Sequence, residues 1–253
     1  MDERAVVVKL GGSMVSDKRI DFSYRGEAVA SLARAISASG VSAVVVHGGG
    51  AFGHPVAKSH GLSSRAPRPS SEGVAETRRA MLDLNGRICD SLISQGLRPY
   101  TFSPYPLLAA AGGKGASWLR AMMAAGMTPL TFGDVVLDRT GFRILSGDTI
   151  ALMLSKLLGA ERCVFVMDVD GVMGPRGLLR TIDEAGAASL RLTGSEDATG
   201  GIALKVREAM KVAAAGTEVA FVSGFRPVEF SKALKGLNFH GTTVRVPSRD
   251  QQR

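Results

Sequence analysis

The chain has 253 residues, of which 45% are hydrophobic and 21% are charged, and its formal net charge is +8 at pH 7. No run approaches the roughly 18 to 20 apolar residues of a membrane span, and the N-terminus leads into a short apolar strand, so we expect a cytoplasmic globular protein. Its two cysteines have no metal-ligand spacing, which argues against a zinc site or a disulfide framework.

The basic charge is spread along the sequence and is not gathered into a run. Only three tyrosines and one tryptophan are present, and no strip of aromatic and basic residues stands out. A basic surface that attracts nucleotides and phosphorylated metabolites explains the charge, as does a surface that only keeps the protein in solution. We therefore expect no nucleic-acid partner.

Apolar β-branched runs alternate with helical patterns along the chain. Residues 5–10 predict a strand, residues 25–39 a helix and residues 41–47 a strand, an order typical of βαβ units with a parallel sheet. Residues 63–71, rich in serine, arginine and proline, predict a loop that could act as a lid. The further predicted elements are a helix at 72–95, a strand at 99–103, a helix at 116–125, a strand at 128–132, a hairpin of 135–137 and 142–145, a helix at 149–158, a strand at 163–167, a helix at 202–214, a strand at 218–222, a helix at 227–235 and a strand at 242–246. No flexible linker or internal repeat interrupts this order, so we expect one α/β domain over residues 1–253.

Two glycine clusters each follow a predicted strand. Residues 9–13 read KLGGS after three valines, and residues 47–54 read HGGGAFGH after another three valines. Glycines at a strand end expose backbone N–H groups with no Cβ in the way, which lets a phosphate oxygen approach closely. The two clusters predict two phosphate sites, one for a phosphoryl donor and one for an anionic acceptor.

Lysines beside these glycines would supply positive charge for a transferred phosphoryl group. Lys9 ends the first strand, where a lysine needs an anionic partner, and Lys18 follows a predicted turn nine positions later. A solvated surface position is the alternative for Lys18. His54 closes the second cluster, where it either donates a hydrogen bond to an anionic acceptor or caps a helix that Pro55 begins. His47, at a strand end, is predicted to be structural.

Three further clusters carry polar groups in the second half of the chain. The sequence SGD at residues 146–148 opens a helix, so its side chains either cap that helix or bind substrate. Asp168 and Asp170 follow a strand, where they could bond ribose hydroxyls, hold lysines, contact Mg²⁺ through water or only form an Asx turn. Lys205 is predicted in the first turn of a helix, a position that opposes the helix dipole unless an anion binds there.

None of these clusters has the P-loop or the dinucleotide-binding pattern. Their order, KxGGS, GGGxFGH, SGD, DVDGV and then TGGxxxK, resembles the amino acid kinase superfamily from Lys9 to about Val246. Within it, residues 47–58 and the lysine pair are most similar to the isopentenyl phosphate kinases, and the loop that ends in Phe-Gly-His is the specific part. Two departures, Thr149 and the pair at residues 223–224, concern details of nucleotide or metal contact.

The resemblance implies an open αβα sandwich with a mainly parallel central sheet, assembled as a homodimer. It implies in-line phosphorylation of isopentenyl phosphate by ATP to give isopentenyl diphosphate in an alternative mevalonate route, with Mg²⁺ held through the ATP phosphates and no protein metal site. The acceptor would occupy a lobe of about residues 1–145, and the nucleotide a lobe of about residues 146–253. No general base is needed, because a phosphate monoester is already an anionic nucleophile near neutral pH.

The resemblance also assigns roles to individual residues. The expected catalytic residues are Lys18, which would stabilise the transferring phosphoryl group, Asp148, which would orient the lysines, Lys9 and His54. The residues expected to bind the acceptor are Gly49, Gly53, His54 and Gly147. The residues expected to bind ATP are Lys9, Gly11, Gly12, Ser13, Gly50, Asp168, Gly201 and Lys205. The apolar tail of the acceptor is expected near residues 74–84 and 102–108.

Two alternatives stay open at this point. Fosfomycin kinases also resemble this pattern, since they share the GGGAFGH loop and use a phosphonate acceptor. A non-catalytic nucleotide sensor on the same fold is the second alternative. The presence of both Lys9 and Lys18 argues against a sensor, which needs donor binding but no charge that stabilises a transition state.

Overall fold

A computed structural model describes residues 5–17, 19–62, 70–104, 114–138, 141–189 and 200–245. Its helices are α1 (Gly12–Val15), α2 (Gly26–Ser39), α3 (Gly50–Ser59), α4 (Ser71–Ser94), α5 (Lys114–Ala124), α6 (Gly147–Leu158), α7 (Glu184–Ser189), α8 (Gly200–Ala213) and α9 (Pro227–Leu234). Its strands are β1 (Val6–Leu10), β2 (Ala43–His47), β3 (Pro99–Thr101), β4 (Thr128–Phe132), β5 (Asp134–Asp138), β6 (Gly141–Leu145), β7 (Arg162–Met167), β8 (Met173–Gly174), β9 (Gly177–Leu178), β10 (Thr181–Ile182), β11 (Glu218–Ser223) and β12 (Gly241–Val244). Among the described residues, no helix is both long and apolar enough to cross a bilayer.

An 8-stranded sheet runs through the molecule in the order β10-β12-β11-β7-β1-β2-β4-β3. Strand β1 is parallel to both of its neighbours, β7 and β2, and the pairs from β11 to β3 are parallel as well. Only one edge reverses, because β12 is antiparallel to β11 and β10 is parallel to β12. The predicted mainly parallel central sheet is confirmed.

Side chains of the central strands alternate between two buried faces of the sheet. Val6, Val8 and Leu10 of β1 pack in a core with residues of α2, α4 and α9. Ala5 and Val7 belong to the opposite core, which includes residues of α5, α6 and α8. A parallel sheet needs cover on both faces, and here two helical layers supply it. The predicted αβα sandwich is confirmed.

The predicted hairpin also forms, as an antiparallel pair of β5 and β6. Helix α5 ends in a glycine cap at Gly126, whose φ is +77°. The N–H of Gly126 donates to the carbonyl of Met123 at 2.9 Å, and the N–H of Met127 donates to that of Met122 at 3.0 Å. These two bonds are the Schellman arrangement that ends many helices.

Sequence reasoning missed α1, which lies inside the first glycine cluster, and placed the start of α3 too late. Helix α3 begins at Gly50, so the prediction that Pro55 begins it is wrong, and Pro55 lies inside the helix. A proline there has no N–H for the carbonyl four residues earlier, at Ala51. The N–H of Phe22 donates to that carbonyl instead, at 2.9 Å. An incoming segment thus satisfies the acceptor that the proline leaves.

The carboxyl ends of the parallel strands meet at one edge of the sheet. Leu10 at the end of β1 is paired in register with His47 at the end of β2, and His47 with Phe132 at the end of β4. On the other side Leu10 is paired with Val166, next to the end of β7. In open α/β sheets, ligands bind outside these ends. Both glycine clusters follow strands that finish here.

Candidate active site

A cleft of about 660 Å³ opens at this edge of the sheet. It brings together residues that are far apart in the chain and that the sequence had singled out. The predicted site residues that line it are Lys9, Gly11, Gly12, Ser13, Gly49, Gly53, His54, Gly147, Asp148, Asp168 and Lys205. Both glycine clusters therefore face the same space.

The two glycine clusters meet through their backbones. A Cβ added to Gly12 would lie 2.9 Å from the backbone nitrogen of Gly50. This distance is shorter than the non-bonded contacts that Cβ atoms make in proteins. A Cβ added to Gly48 would lie 3.8 Å from the Nζ of Lys9. A side chain at Gly12 would push the clusters apart, so glycine there keeps the two predicted phosphate sites adjacent.

Several glycine N–H groups of the clusters are already bonded within the protein, contrary to the expectation that the clusters leave them exposed. These bonds run from Gly11 to the carbonyl of Val166 at 2.8 Å, from Gly48 to that of Leu10 at 3.2 Å and from Gly53 to that of Gly49 at 2.9 Å. The N–H groups of Gly12 and Ser13 lie in the first turn of α1, where a helix offers them no acceptor, and both residues line the cleft. These are the backbone donors that an anion in the cleft would use.

Asp148, the second residue of α6, lies between two lysines. Its Oδ1 is 2.6 Å from the Nζ of Lys9, and its Oδ2 is 3.3 Å from the Nζ of Lys205. Burial acts to raise the pKa of Asp148, but the two ammonium groups outweigh it and lower that pKa below its ordinary value. The carboxylate is therefore ionised near neutral pH and holds both cations at the cleft.

The lysine positions follow from the elements that carry them. Lys9 is 6% exposed at the end of β1, where the carboxylate supplies the anionic partner that a buried ammonium needs. Lys205 lies in the second turn of α8, because that helix begins at Gly200. The predicted first-turn position of Lys205 is wrong for this reason.

The three residues of the SGD sequence differ in position, since one precedes helix α6 and two lie in its first turn. The Oγ of Ser146 accepts a hydrogen bond from the N–H of Thr149 at 3.1 Å, so Ser146 caps α6. Gly147 and Asp148 follow in the first turn and line the cleft. The cap at Ser146 is therefore observed, and binding stays a prediction for Gly147 and Asp148.

His54 lies exposed on α3 and lines the cleft, together with residues of α4. A Cβ at Gly53 would overlap with the sulfur of Met81, so this glycine lets α3 and α4 pack closely. Met81 and Thr77 also line the cleft and lie within the range where the apolar wall was expected. Of the second expected range, residues 105–108 lie outside the described part of the chain.

Asp134 is a cleft residue that sequence reasoning missed. Its carboxylate contacts the guanidinium of Arg78, accepts the N–H of Val135 at 2.8 Å and accepts the hydroxyl of Ser103 at 3.3 Å. Burial raises the pKa of Asp134 above its ordinary value, against the opposing effect of Arg78. The available signal was a carboxylate just after a buried strand, at the edge where the other polar groups collect.

The two carboxylates after β7 have different surroundings. Asp168 lines the cleft. Asp170 is bonded to the guanidinium of Arg226 at 2.7 Å and lies 3.2 Å from the Nε2 of His240. The hydrogen bond from Arg226 lowers the pKa of Asp170. Asp168 is thus the carboxylate of this pair that faces the cleft, and Asp170 joins surface segments.

His47 is fully buried at the end of β2. Its Nε2 lies 3.2 Å from the Oδ1 of Asn85, and its Nδ1 lies 3.1 Å from the carbonyl of Gly48. Burial lowers its pKa to about 4, so the imidazole is neutral at physiological pH. This environment agrees with the structural role predicted for His47.

Three predicted site residues have other placements. Gly50 is buried beneath the cleft wall, against Ser16 and Gly12. Gly201 lies in the first turn of α8. Lys18, expected to stabilise the transferring group, lies outside the described residues, between Asp17 and Arg19 in the chain.

The sequence as a whole was compared with known proteins. Residues 4–223 match the family model described as "Amino acid kinase family". The chain belongs to the amino acid kinase family. Both the predicted family and the predicted fold class are confirmed.

Two members of the family named isopentenyl phosphate kinase are similar to this chain over nearly their whole length. The isopentenyl phosphate kinase of Methanothermobacter thermautotrophicus is 31% identical over 261 residues, covering 94% of this chain and 98% of that protein. That of Thermoplasma acidophilum is 32% identical over 249 residues, covering 95% of this chain and 100% of that protein. A solved structure described as an isopentenyl phosphate kinase substrate complex has a TM-score of 0.76 and 29% identity, over 96% of this chain and 100% of that one.

Proposed function

We propose that this amino acid kinase transfers the γ-phosphoryl group of ATP to isopentenyl phosphate, giving isopentenyl diphosphate and ADP. The observation that carries the proposal is the Lys9–Asp148–Lys205 ion-pair cluster in a cleft shared by both glycine clusters. Two ammonium groups fixed there lie where negative charge is spread over the transferred group.

The transfer needs positioning and charge, with little covalent work by the protein. A phosphate oxygen of the acceptor attacks the γ-phosphorus, and the bond from that phosphorus to the β–γ bridging oxygen breaks, so that ADP leaves. The acceptor phosphate is already an anion near neutral pH and requires no general base. Of the three cleft carboxylates, Asp148 pairs with two lysines and Asp134 with Arg78, and Asp168 is assigned to the nucleotide, so the proposed mechanism uses no protein base.

The donor would bind along the first glycine cluster and the start of α8. Gly12 and Ser13 offer first-turn N–H groups, and Lys9 and Lys205 offer charge to the ATP phosphates. The other residues proposed for the nucleotide are Gly11, Gly50, Asp168 and Gly201. The proposed donor site thus joins residues of the lobe from about 146 onward to the loop after β1 and the start of α3.

The acceptor would bind at the second glycine cluster, in the lobe of about residues 1–145. Gly49, His54 and Gly147 line the cleft where its phosphate would lie, and the imidazole of His54 can donate to a phosphate oxygen. Met81 and the apolar residues of the β5–β6 hairpin that line the cleft would contact the isopentenyl group.

Mg²⁺ fits this donor set as an ion carried by the nucleotide. In the described part of the chain, no cluster of three or more His, Cys, Asp or Glu side chains could hold a metal ion. Asp168 lines the cleft and pairs with no cation among the residues that the structure describes, and it would add an oxygen or a water-mediated contact. The ion, once bound to phosphate oxygens, would neutralise part of their charge.

The comparisons support isopentenyl phosphate as the acceptor, because curated relatives with that activity in their names match over almost the whole chain. They do not favour the fosfomycin alternative. A donor and an acceptor that each carry phosphate also agree with a cleft that both glycine clusters line.

A coupled assay of ADP release tests the function. Purified protein is mixed with ATP and Mg²⁺, and isopentenyl phosphate, dimethylallyl phosphate, geranyl phosphate and fosfomycin are offered in turn. We expect the highest kcat/KM with isopentenyl phosphate. A large preference for fosfomycin would overturn the proposed acceptor, and ATP binding without turnover of any acceptor would favour the sensor alternative.

A further inference from the structure

Ser16 lies between the two glycine clusters, with its side chain completely buried. Its hydroxyl donates a hydrogen bond to the carbonyl of Gly12 at 2.8 Å and accepts one from the N–H of Ala51 at 2.7 Å. Gly12 belongs to the first cluster, and Ala51 lies in the first turn of α3, which belongs to the second. One hydroxyl group therefore links the two proposed phosphate sites directly.

This link takes the place of an ordinary helix cap. The N-cap residue of α3 is Gly49, which has no side chain to bond the free N–H groups of the first turn. Ser16 bonds one of them, that of Ala51, from another segment. The N-cap position itself stays small and open to the cleft, while the helix start is still held in place.

The backbone around Gly50 is shaped to admit this hydroxyl. Gly50 has a φ of +48°, in the left-handed region, and a Cβ there would overlap with the Oγ of Ser16. That Cβ would also lie 2.8 Å from the carbonyl of Gly12. The glycine at residue 50 and the serine at residue 16 are thus complementary parts of one contact.

The segment that contains Lys18 is anchored to the same helix turn at both of its ends. Ser16 bonds the N–H of Ala51, and the N–H of Phe22 donates to the carbonyl of Ala51 at 2.9 Å. The ring of Phe22 also packs edge-on against Phe52, with 5.5 Å between ring centroids. Residues 16 and 22, on either side of position 18 in the chain, are thus both fixed to the turn that begins α3.

We propose that Ser16 is a positioning residue that sets the spacing between donor and acceptor phosphates by fixing the loop after β1 to the start of α3. This inference rests on the proposed kinase function. Each phosphate would still bind its own glycine cluster without the link, but the distance between them would no longer be fixed. A displacement of about 1 Å between reacting groups can lower a rate about 100-fold.

The test compares Ser16→Ala and Ser16→Thr with the unchanged protein and with Ser155→Ala. Ser155 is an equally buried serine, whose hydroxyl donates to the carbonyl of Ala151 within α6 and links no loops. We expect Ser16→Ala to lower kcat about 100-fold while both KM values change less than about threefold. Ser16→Thr keeps the hydroxyl and should recover most of kcat, and Ser155→Ala should leave kcat near that of the unchanged protein.

Amide hydrogen exchange at residue 51 gives a second measurement that does not depend on turnover. Ser16→Ala should raise the exchange rate of the Ala51 N–H well above its rate in Ser155→Ala, because its acceptor is gone. Unchanged kcat, or unchanged exchange at residue 51, in a folded Ser16→Ala protein would overturn the inference. If the unchanged protein prefers another acceptor, the proposed substrate fails, and the same comparison with that acceptor still decides the role of Ser16.

Discussion

The Oδ1 of Asp148 lies 2.6 Å from the Nζ of Lys9, although Asp148 is in the first turn of helix α6 and Lys9 is near the end of strand β1. The contact joins the lysine beside the first glycine cluster to a helix whose first turn lines the cleft. The same carboxylate holds Lys205 of α8. One partly buried carboxylate thus fixes two cations from different elements at the place where phosphates would meet.

Replacement of Asp148 by asparagine should lower kcat about 100-fold, because Lys9 and Lys205 would lose their common anchor and repel each other. The matched control is Asp170→Asn, which removes a carboxylate that pairs with Arg226 at the surface. Steady-state kinetics with both substrates check this. If Asp148→Asn were as active as Asp170→Asn, the carboxylate would have no part in placing the lysines.

Replacement of Lys18 by alanine should lower kcat by orders of magnitude with only a modest effect on ATP affinity, because its charge would act in the transition state. Arg19→Ala is the control, since the neighbouring arginine is 86% exposed and bonds Asp17. Turnover and equilibrium ATP binding are measured for both variants. An unchanged kcat in Lys18→Ala would refute the proposed role.

Replacement of His54 by asparagine should act mainly through the acceptor. We expect a KM for isopentenyl phosphate about 10-fold or more above that of the unchanged protein, a lower kcat and little change in the KM for ATP. His60→Asn is the control. This histidine lies at the end of α3, where it pairs with Glu76 of α4. Identical acceptor kinetics in His54→Asn and the unchanged protein would remove the imidazole from the site.

Replacement of Met81 by alanine should widen the cleft at its apolar wall. We expect the kcat/KM for geranyl phosphate relative to that for isopentenyl phosphate to rise about 10-fold. Leu84→Ala is the control, since Leu84 is buried on the same helix in the core and should lose similar stability, about 2 to 5 kcal/mol. A ratio that stays constant in Met81→Ala would place the isopentenyl group elsewhere.

The stability of the protein should fall as the pH drops from about 6.5 to about 4. Burial lowers the pKa of His47 from 6.5 to about 4, so in this range the unfolded chain binds a proton that the folded protein does not. The stabilisation is fully present above pH 6.5 and is lost towards pH 4, by about 3 kcal/mol.

Urea denaturation at several pH values checks this dependence. The slope of the unfolding free energy against pH should be smaller in His47→Gln than in the unchanged protein. It should stay nearly the same in His60→Gln, because the surface pair of His60 with Glu76 contributes little to stability. An equal slope in all three proteins would show that another group causes any acid sensitivity.

The local elements could be read from the sequence because each has a local cause. Runs of valine predict buried parallel strands, spaced apolar residues predict α4, and the serine before Gly147 caps α6. The observed bounds differ from the predicted ones by one residue at the start of α2 and at each end of α4, and those of β4 are as predicted. The two glycine clusters and the lysines between them were likewise visible, and with them the family.

The contacts that make the site were decided by the tertiary structure, because they join residues whose separation in the chain carries no signal. No sequence pattern predicted the contact between Asp134 and Arg78, or the hydrogen bond between the hydroxyl of Ser16 and the N–H of Ala51. The sequence by itself determined which elements form and which residue types could bind phosphate. The fold alone decided which N–H groups stay available and which charges meet, since both depend on how strand ends come together at one edge of the sheet.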